Sequence, residues 1–300
     1  MMDMNGLKLI NDAYGHNVGN EALKAIADTL NEVKDNDDFV ARLGGDEFAM
    51  ICLNTNTKMM EKRLKTIEKH ISNIHIKDIQ LSLAVGYDIK KENNESIRNI
   101  FITAENNMYK NKVLTGKSDR NDAIQSILQT LQAKYEEERI HAQWVSDYCR
   151  QIGEALNLRA DEIKELQLAG LYHDIGKISI PDAILNKPGK LTKDEWETMK
   201  THTLNGYQIL RAADHYSNIA EYAMSHHERI DGKGYPNGIK GDDIPLFSRI
   251  IAVVDAYEAM TSDRPYRKAL LKTDAIKELK RHAGTQFDKD IVEICINEVL

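Results

Sequence analysis

The stretch His173-Asp174-Ile175-Gly176-Lys177 decides the fold that we predict for the longer part of this chain. It follows a segment with apolar residues at helical spacing, at Ile163, Leu166, Leu168 and Leu171, so a helix over 161–172 delivers it. Gly176 is the expected end of that helix. A His and an Asp on neighbouring residues at a helix end can both reach one metal centre. Lys177 places a cation where an anionic substrate bound at that metal would lie.

Length, composition and charge describe an ordinary globular protein with two domains. The chain has 300 residues, of which 42% are hydrophobic and 29% are charged. Its net charge of −7 gives no general attraction to a nucleic-acid polymer, so local cations or metals must hold any anionic ligand.

Cysteine usage and hydropathy point to the cytoplasm. Cys52, Cys149 and Cys295 are far apart, which argues against both a disulfide framework and a thiolate metal site. No apolar run approaches the roughly 18 residues of a membrane helix, and no signal peptide opens the chain. We therefore expect a cytoplasmic chain without a membrane partner. Whether a longer protein carries a sensor or membrane segment upstream of this chain stays open.

Residues 1 to about 114 alternate between strand and helix patterns. The runs 39–43 and 48–53 are joined through Gly44-Gly45-Asp46-Glu47, which predicts a hairpin with acidic residues at its tip. The remaining patterns are helices over 17–33, 57–74 and 97–113, and a half-buried strand over 79–85. This order predicts an α+β domain with a mainly antiparallel sheet.

The hairpin sequence Gly44-Gly45-Asp46-Glu47-Phe48 resembles the signature of GGDEF domains, which make cyclic di-GMP from two molecules of GTP. The likeness covers most of residues 3–114 and implies a palm of the cyclase type. It also implies that Asp3 and Asp46 hold Mg²⁺ on the triphosphate of GTP, and that Asn11 contacts the guanine.

The sequence departs from that pattern in ways that argue against cyclase activity. Asn20 replaces an Asp of guanine recognition, and an amide cannot accept from both guanine N–H groups. Asp35 stands where the product-inhibition motif begins with Arg, although its Asp38 is present. The family's first helix and nearly all of its first strand would precede Met1, which leaves a central strand incomplete. We expect a degenerate domain with little or no cyclase activity, and we weigh GTP binding equally with a spacer that binds nothing.

A continuous helix is predicted to connect the two domains. Its apolar residues form one stripe, at Ile124, Ile127, Leu128, Leu131 and Tyr135. The stripe fits two roles, the seam of a homodimer or packing against the chain's own domains. The predicted organisation is a first domain over 1–117, a connector over 118–136 and a second domain over 137–300.

The second domain combines helical periods with a set of candidate metal ligands. Asp255 directly follows the apolar run 250–254. An ionised carboxylate on such an apolar helix is costly to bury without a compensating cation. Taken alone, Asp255 would fit a solvent-facing residue, and each His would fit an ordinary core residue. Together the candidates offer enough imidazole and carboxylate ligands for two first-row metals: His141, His173, Asp174, His202, His226, His227 and Asp255. The other histidines show no ligand pattern: His16, His70, His75, His215 and His282.

The opening stretch, with His226-His227-Glu228 and Asp231-Gly232-Lys233-Gly234-Tyr235-Pro236, resembles the HD-GYP family of cyclic di-GMP phosphodiesterases. The match covers about 137–300, and it implies an all-α HD-domain bundle. It further implies that the seven candidates hold iron or manganese, with Asp174 bridging the ions. Some members hold a third ion through a Glu four residues before the first His, here Glu137 with Glu138 beside it, so two and three ions both stay open.

The resemblance also implies the reaction. Bound divalent ions activate water and clamp phosphate oxygens, with Asp174 and Lys177 as the catalytic residues. Lys177, Arg264 and Arg267 would neutralise phosphate charge, and Tyr235 would contact phosphate or stack on guanine. The implied reaction is cleavage of cyclic di-GMP to pGpG and onward to GMP. The alternatives are a hydrolase for another cyclic dinucleotide and a receptor that binds the messenger without cleaving it.

Overall fold

The computed structural model describes residues 1–77, 79–263 and 268–300, without the side chains of 113–118. The chain divides into two compact units, Met1–Ile127 and Leu128–Leu300. Among the described residues, none of the helices combines the length and the hydropathy that a membrane span requires. The predicted architecture, an α+β region followed by an all-α region, is confirmed.

The first unit is built on a small antiparallel sheet. Strands β1 (Met2–Met4), β2 (Phe39–Gly44), β3 (Glu47–Ile51) and β6 (Leu83–Val85) lie in the order β2-β3-β1-β6. A separate pair is formed by β4 (His75–Ile76) and β5 (Ile79–Gln80). The helices that accompany the sheet are α1 (Leu7–Tyr14), α2 (His16–Val33) and α3 (Thr57–Ile71).

The strand predicted over 79–85 is two strands in the structure. The backbone N–H of Leu81 donates to Ile74, whereas Ser82 accepts from the backbone of Asn5 beside β1. The chain therefore changes its hydrogen-bonding partner at Leu81, whose side chain is buried. Alternating hydropathy cannot show such a change of partner.

A single helix, α4 (Ile97–Lys134), replaces the predicted helix over 97–113 and the separate connector. The side chains of Ile124, Ile127, Leu128 and Leu131 on it are buried within the chain. The stripe therefore packs inside one copy of the chain, and a homodimer through this seam has no support. Because α4 runs through residue 117 without a break, the boundaries 1–117 and 118–136 stay predictions.

The second unit contains helices that carry the candidate ligands. They are α5 (Glu136–Ala155), α6 (Ala160–Tyr172), α7 (Asp182–Leu185), α8 (Lys193–Arg211), α9 (Ser217–Ser225), α10 (Leu246–Thr261), α11 (Lys272–His282) and α12 (Lys289–Ile294). Thr192 and Glu195 cap the start of α8 reciprocally, as predicted from their spacing. Of the described residues in this unit, only Ala283 and Phe287 form a β-type bridge.

Gly176 does not end α6, contrary to the sequence prediction. The helix ends at Tyr172, and Gly176 lies in a 3₁₀ turn over Ile175–Ser179. A Cβ atom at Gly176 would lie 2.0 Å from the carbonyl oxygen of His202 and 2.5 Å from the nitrogen of Gly206. Glycine is therefore needed for the close approach of this turn to α8, which brings Asp174 near His202.

Candidate metal centre

The carboxylate of Asp174 lies at the centre of the converging imidazoles. It directly follows His173, the C-cap residue of α6. The Nε2 atom of His173 lies 3.0 Å from Asp174 Oδ2, and that of His202 lies 3.4 Å from Asp174 Oδ1. The Nε2 atoms of His226 and His141 each lie 3.8 Å from the same carboxylate. Imidazoles from α5, from α8 and from the ends of α6 and α9 thus surround the carboxylate of Asp174.

Asp255 and His227 complete the group that the sequence predicted. Asp255, on α10, has its Oδ1 atom 3.2 Å from Nε2 of His141. His227 offers a ligand atom within 4.8 Å of those of Asp174, His202 and His226. His141, His173 and Asp174 form a second such group. Since Asp174 belongs to both groups, it is placed to join two ions.

Each central imidazole is held through its other ring nitrogen. Nδ1 of His173 lies 2.7 Å from the carbonyl oxygen of Gly170, and Nδ1 of His202 lies 2.7 Å from that of Met199. His226 repeats this contact with Ala223 at 2.6 Å. A carbonyl oxygen only accepts, so each Nδ1 carries the hydrogen, and each Nε2 of a neutral ring keeps its lone pair. This is the usual support of a metal-binding histidine.

The Nε2 atoms of these three histidines have no hydrogen-bond partner among the described residues, although they are buried. The Oδ1 atom of Asp174 is also buried without a hydrogen-bond partner among the described residues. Buried polar atoms without partners are costly, and a cation removes that cost by accepting their lone pairs. The donor set therefore fits divalent first-row ions, with imidazole and carboxylate ligands and no thiolate.

Burial and neighbouring charges set the protonation states. Burial lowers the pKa of His226 and His202, and it lowers that of His227 to about 4, so these imidazoles are neutral. Burial opposes ionisation of Asp174 and Asp255, but the protonated imidazoles of His173 and His141 outweigh it and lower both carboxyl pKa values. Burial also opposes the charge of these two imidazoles, but the carboxylates beside them raise the pKa of His173 and raise that of His141 to about 9, so a metal ion would bind both rings in place of a proton. Neutral imidazoles and ionised carboxylates are the forms that bind metal ions.

Lys177 is buried beside the central carboxylate. Its Nζ atom lies 2.8 Å from Asp174 Oδ2 and 2.9 Å from Glu138 Oε2. Burial opposes the charge, but Asp174 and Glu138 outweigh it and raise the pKa of Lys177. The lysine is thus a fixed cation at the edge of the centre. Glu138 is its partner, whereas the side chain of Glu137 is exposed beside it.

Two buried glutamates that the sequence analysis missed support the site. Glu258 Oε2, on α10, hydrogen-bonds with Nδ1 of His141, the same support that the other three histidines receive from carbonyl oxygens. Glu228 accepts hydrogen bonds from the backbone N–H groups of Asn237 and Gly238. It thereby fixes the end of the glycine-rich loop, residues 231–238, beside His227. Glu258 lies three residues after Asp255 on one helix, which is the signal that was available.

Two cavities open beside the centre, with volumes of about 660 Å³ and 470 Å³. The larger cavity is lined in part by Asp174, Lys177 and Glu138. The smaller cavity is lined in part by Lys200 and Gln286. Both are lined by Trp196, His227, Tyr235 and Asp255. The two arginines of the predicted phosphate site, Arg264 and Arg267, lie outside the described residues.

In the first unit, the structure brings Asp3 and Asp46 together around a lysine. Nζ of Lys112 lies 2.7 Å from Asp3 Oδ2 and 3.9 Å from Asp46 Oδ2. Burial raises the pKa of Asp3. Asn11 lies on α1, where its side chain fills the space beside Gly19 of α2. A protein cation thus pairs with Asp3 and lies near Asp46, the two carboxylates that the resemblance assigns to Mg²⁺.

The two residues at the position of the product-inhibition motif, Asp35 and Asp38, form ion pairs within the first unit. Arg63 of α3 contacts the carboxylates of both Asp35 and Asp38. Asp38 is buried and also accepts a hydrogen bond from the backbone of Leu53. These side chains therefore stabilise the packing of α3 against the start of β2.

Family models and curated relatives agree with this arrangement. Residues 121–291 match the model of the HD domain, and residues 1–118 match that of the diguanylate cyclase GGDEF domain. Over 200 residues the chain is 34% identical to 3'3'-cGAMP-specific phosphodiesterase 2 of Vibrio cholerae, an alignment covering 66% of this chain and 38% of that protein.

Two further relatives carry a different substrate in their names. The cyclic di-GMP phosphodiesterase response regulator RpfG of Xanthomonas campestris is 42% identical over 144 residues, or 47% of this chain and 38% of the relative. A cyclic di-GMP phosphodiesterase of Thermotoga maritima is 41% identical over 157 residues, or 51% of this chain and 42% of the relative. The chain thus spans about two fifths of the length of these proteins.

Both resemblances drawn from the sequence are confirmed by these matches. An HD domain implies binding of divalent metal, which agrees with the cluster of His and Asp side chains. Because the HD model covers more than half of its residues, the chain belongs to the HD domain family, and it carries this domain after a GGDEF domain.

Proposed function

We propose that this chain is a metal-dependent phosphodiesterase that hydrolyses cyclic di-GMP to linear pGpG, with further cleavage to GMP left open. The relatives named above are phosphodiesterases for cyclic dinucleotides, and two of the three are named for cyclic di-GMP. The observation that carries the proposal is the set of buried, unpartnered Nε2 atoms around Asp174. Such a set is costly in a protein that holds no cation there.

The proposed ligands are the residues that the structure gathers around Asp174, in agreement with the sequence: His141, His173, Asp174, His202, His226, His227 and Asp255. Iron or manganese is the proposed metal, because mixed imidazole and carboxylate sets suit these ions. We propose two ions rather than three, since Lys177 engages Glu138, and the side chain of Glu137 is exposed although it lines the larger cavity. When bound, such ions make water acidic enough to act as a nucleophile near neutral pH and polarise phosphate oxygens.

The chain's own residues bind and orient the phosphate. Lys177 keeps its proton, so it supplies a positive charge beside the scissile phosphate throughout the reaction. Burial, followed by the charges of Asp174 and Asp255, raises the pKa of Tyr235. Its hydroxyl therefore remains a neutral donor, and Tyr235 belongs to the wall that the two cavities share. Arg264 and Arg267 are proposed as further phosphate-binding residues on the resemblance alone.

Turnover of cyclic di-GMP by the purified, manganese-loaded protein tests the proposal. We expect pGpG as the first product by chromatography, and loss of turnover together with metal in the His173→Ala/Asp174→Ala variant. His215→Ala is the matched control, because His215 is exposed and contacts only Tyr216 among the aromatic rings of the described residues. Equal rates for the double variant and the parent protein would refute the assignment of the centre.

A second candidate substrate is 3'3'-cGAMP, because the relative aligned over 200 residues is named for it. Parallel assays with both cyclic dinucleotides separate the candidates by their kcat/KM values. A receptor that binds without cleavage is disfavoured by the complete set of proposed ligands.

For the first domain we propose a regulatory role without cyclase activity. The contact of Lys112 with Asp3 and Asp46 leaves less need for Mg²⁺ at these carboxylates, and GTP binding at Asp3, Asn11 and Asp46 would have to displace the lysine.

We also propose a cytoplasmic location for this part of the protein.

Incubation of the protein with Mg²⁺ and GTP is expected to yield no cyclic di-GMP. Because the phosphodiesterase would consume a product, the assay is best made with the His173→Ala/Asp174→Ala variant. Accumulation of cyclic di-GMP in that variant would show that the first domain is an active cyclase.

A further inference from the structure

The wall shared by the two cavities contains two aromatic side chains, Trp196 and Tyr235. Trp196 lies in the first turn of α8, and His202 follows it on the same helix. Six residues of helix rise by about 9 Å, so Trp196 is displaced from the centre along α8. A nucleotide separates its base from its phosphate in the same way, with the ribose between them.

The ring of Tyr235 is already covered by protein groups. It lies 4.8 Å from the ring of His227, at an angle of 35°, which is close to a stacked arrangement. The Nζ atom of Lys200 lies 5.8 Å from the Tyr235 centroid. A base therefore finds little free surface on Tyr235, and the hydroxyl is the group that this residue offers to a ligand.

Trp196, by contrast, presents free indole surface at the cavities. Its contact with Tyr235 is edge-to-face, at 6.0 Å and 81°, and 45% of the residue is exposed. One exposed aromatic side chain needs no explanation by itself, but Trp196 lines both cavities beside the centre, where its free surface can meet a ligand. Indole stacks on any purine, because every base has a π face.

We propose that Trp196 stacks on a purine base of the substrate, and that this contact places one phosphate of a cyclic dinucleotide at the metal centre. Lys200 lies one helical turn after Trp196 and lines the smaller cavity, where it would meet the second phosphate. This inference rests on the proposed cyclic dinucleotide substrate. Trp196 would position the substrate, and the metal centre would carry out the chemical step.

The chain has two tryptophans, so each can be observed alone by fluorescence. Trp144 stacks on Tyr148 and lines neither cavity. In Trp144→Phe, the remaining Trp196 is expected to lose fluorescence when cyclic di-GMP is mixed with the manganese-loaded protein. In Trp196→Phe, the remaining Trp144 should respond no more than free tryptophan does at the same nucleotide concentration. Ribose 5-phosphate, which lacks a base, should leave both proteins unchanged.

Kinetics of the manganese-loaded protein give the second readout. Loss of one stacking contact is expected to raise KM for cyclic di-GMP by about 5- to 150-fold in Trp196→Ala. The kcat value and the metal content should remain near those of the parent protein, and Trp196→Phe should restore most of the affinity. Trp144→Ala is the matched control, with an unchanged KM.

The outcomes separate this inference from the proposed function. Turnover by the parent protein, with an unchanged KM in Trp196→Ala and no fluorescence response of Trp196, would overturn the inference alone. A fluorescence response of Trp196 without turnover would support the inference and overturn the proposed function. A Trp196→Ala variant that loses metal together with activity would show a structural role, which also overturns the inference.

Discussion

At the scale of single residues, four of the proposed imidazole ligands are each held by a second group. The sequence predicted the ligands His141, His173 and Asp174 from their residue types and spacing. It could not show which group holds each ring, because those partners are backbone carbonyls or, for His141, the distant Glu258. Hydrophobic periodicity places Glu258 on a helix but does not show which imidazole it faces.

Substitution Glu258→Gln tests the importance of that second group. An amide still accepts a hydrogen bond from Nδ1 of His141, but it lacks the negative charge that makes the imidazole a stronger ligand. We expect metal affinity to fall by about 10- to 100-fold, the usual effect of removing such a partner. Competition with a chelator of known affinity measures the change.

The control for this substitution is Glu154→Gln on α5. Glu154 is exposed and pairs with Arg150 on the same helix, so the loss of its charge should leave metal affinity unchanged. Equal affinities of Glu258→Gln and Glu154→Gln would contradict the role of Glu258.

At the scale of elements, the helices followed from the sequence better than their ends and contacts did. The capping box at Thr192 placed the start of α8 correctly, because its signal is local. Gly176 was interpreted as a helix end, whereas it permits a close contact with α8. Both uses of glycine produce the same sequence signal, and only the tertiary structure distinguishes them.

Gly176→Ala should therefore loosen the contact between the 3₁₀ turn and α8. The new methyl group would meet backbone atoms of His202 and Gly206, which cannot move aside as a flexible side chain does. We expect a loss of about 1–3 kcal/mol in the free energy of unfolding, the usual cost of overpacking. Metal affinity should fall as well, since Asp174 and His202 move apart.

Chemical denaturation of the second unit measures the stability, and Gly206→Ala in the same unit is the control. An added Cβ at Gly206 has no neighbour closer than 3.4 Å, which is an ordinary van der Waals distance, and its backbone is not in the left-handed region. If Gly176→Ala were as stable as Gly206→Ala, the close contact would not depend on glycine.

At the scale of the whole molecule, two units share one chain, and the metal is proposed to stabilise only the second. The sequence predicted two domains from the change in composition and pattern near residue 120. It also predicted a continuous helix between the domains, but it did not predict that this connector and the helix over 97–113 are one helix, because two helical periods in succession do not show whether the helix is broken between them.

Removal of metal is expected to lower the stability of the second unit. Ions that bind only the folded state at 100 times their Kd contribute about 2.7 kcal/mol to the free energy of unfolding. Calorimetry with and without a chelator should show a lower melting temperature for one transition and no change in the other. The His173→Ala/Asp174→Ala variant should show no response to the chelator, and an equal response there would place the effect elsewhere.

The support of three histidines by carbonyl oxygens of their own helical turn has a consequence for engineering. Gly170, Met199 and Ala223 each precede the supported histidine by three residues, so the support travels with the segment that brings the ligand. Single helices can therefore be exchanged between related proteins as modules. His141 is the exception, because α5 and α10 must be exchanged together to keep its pair with Glu258.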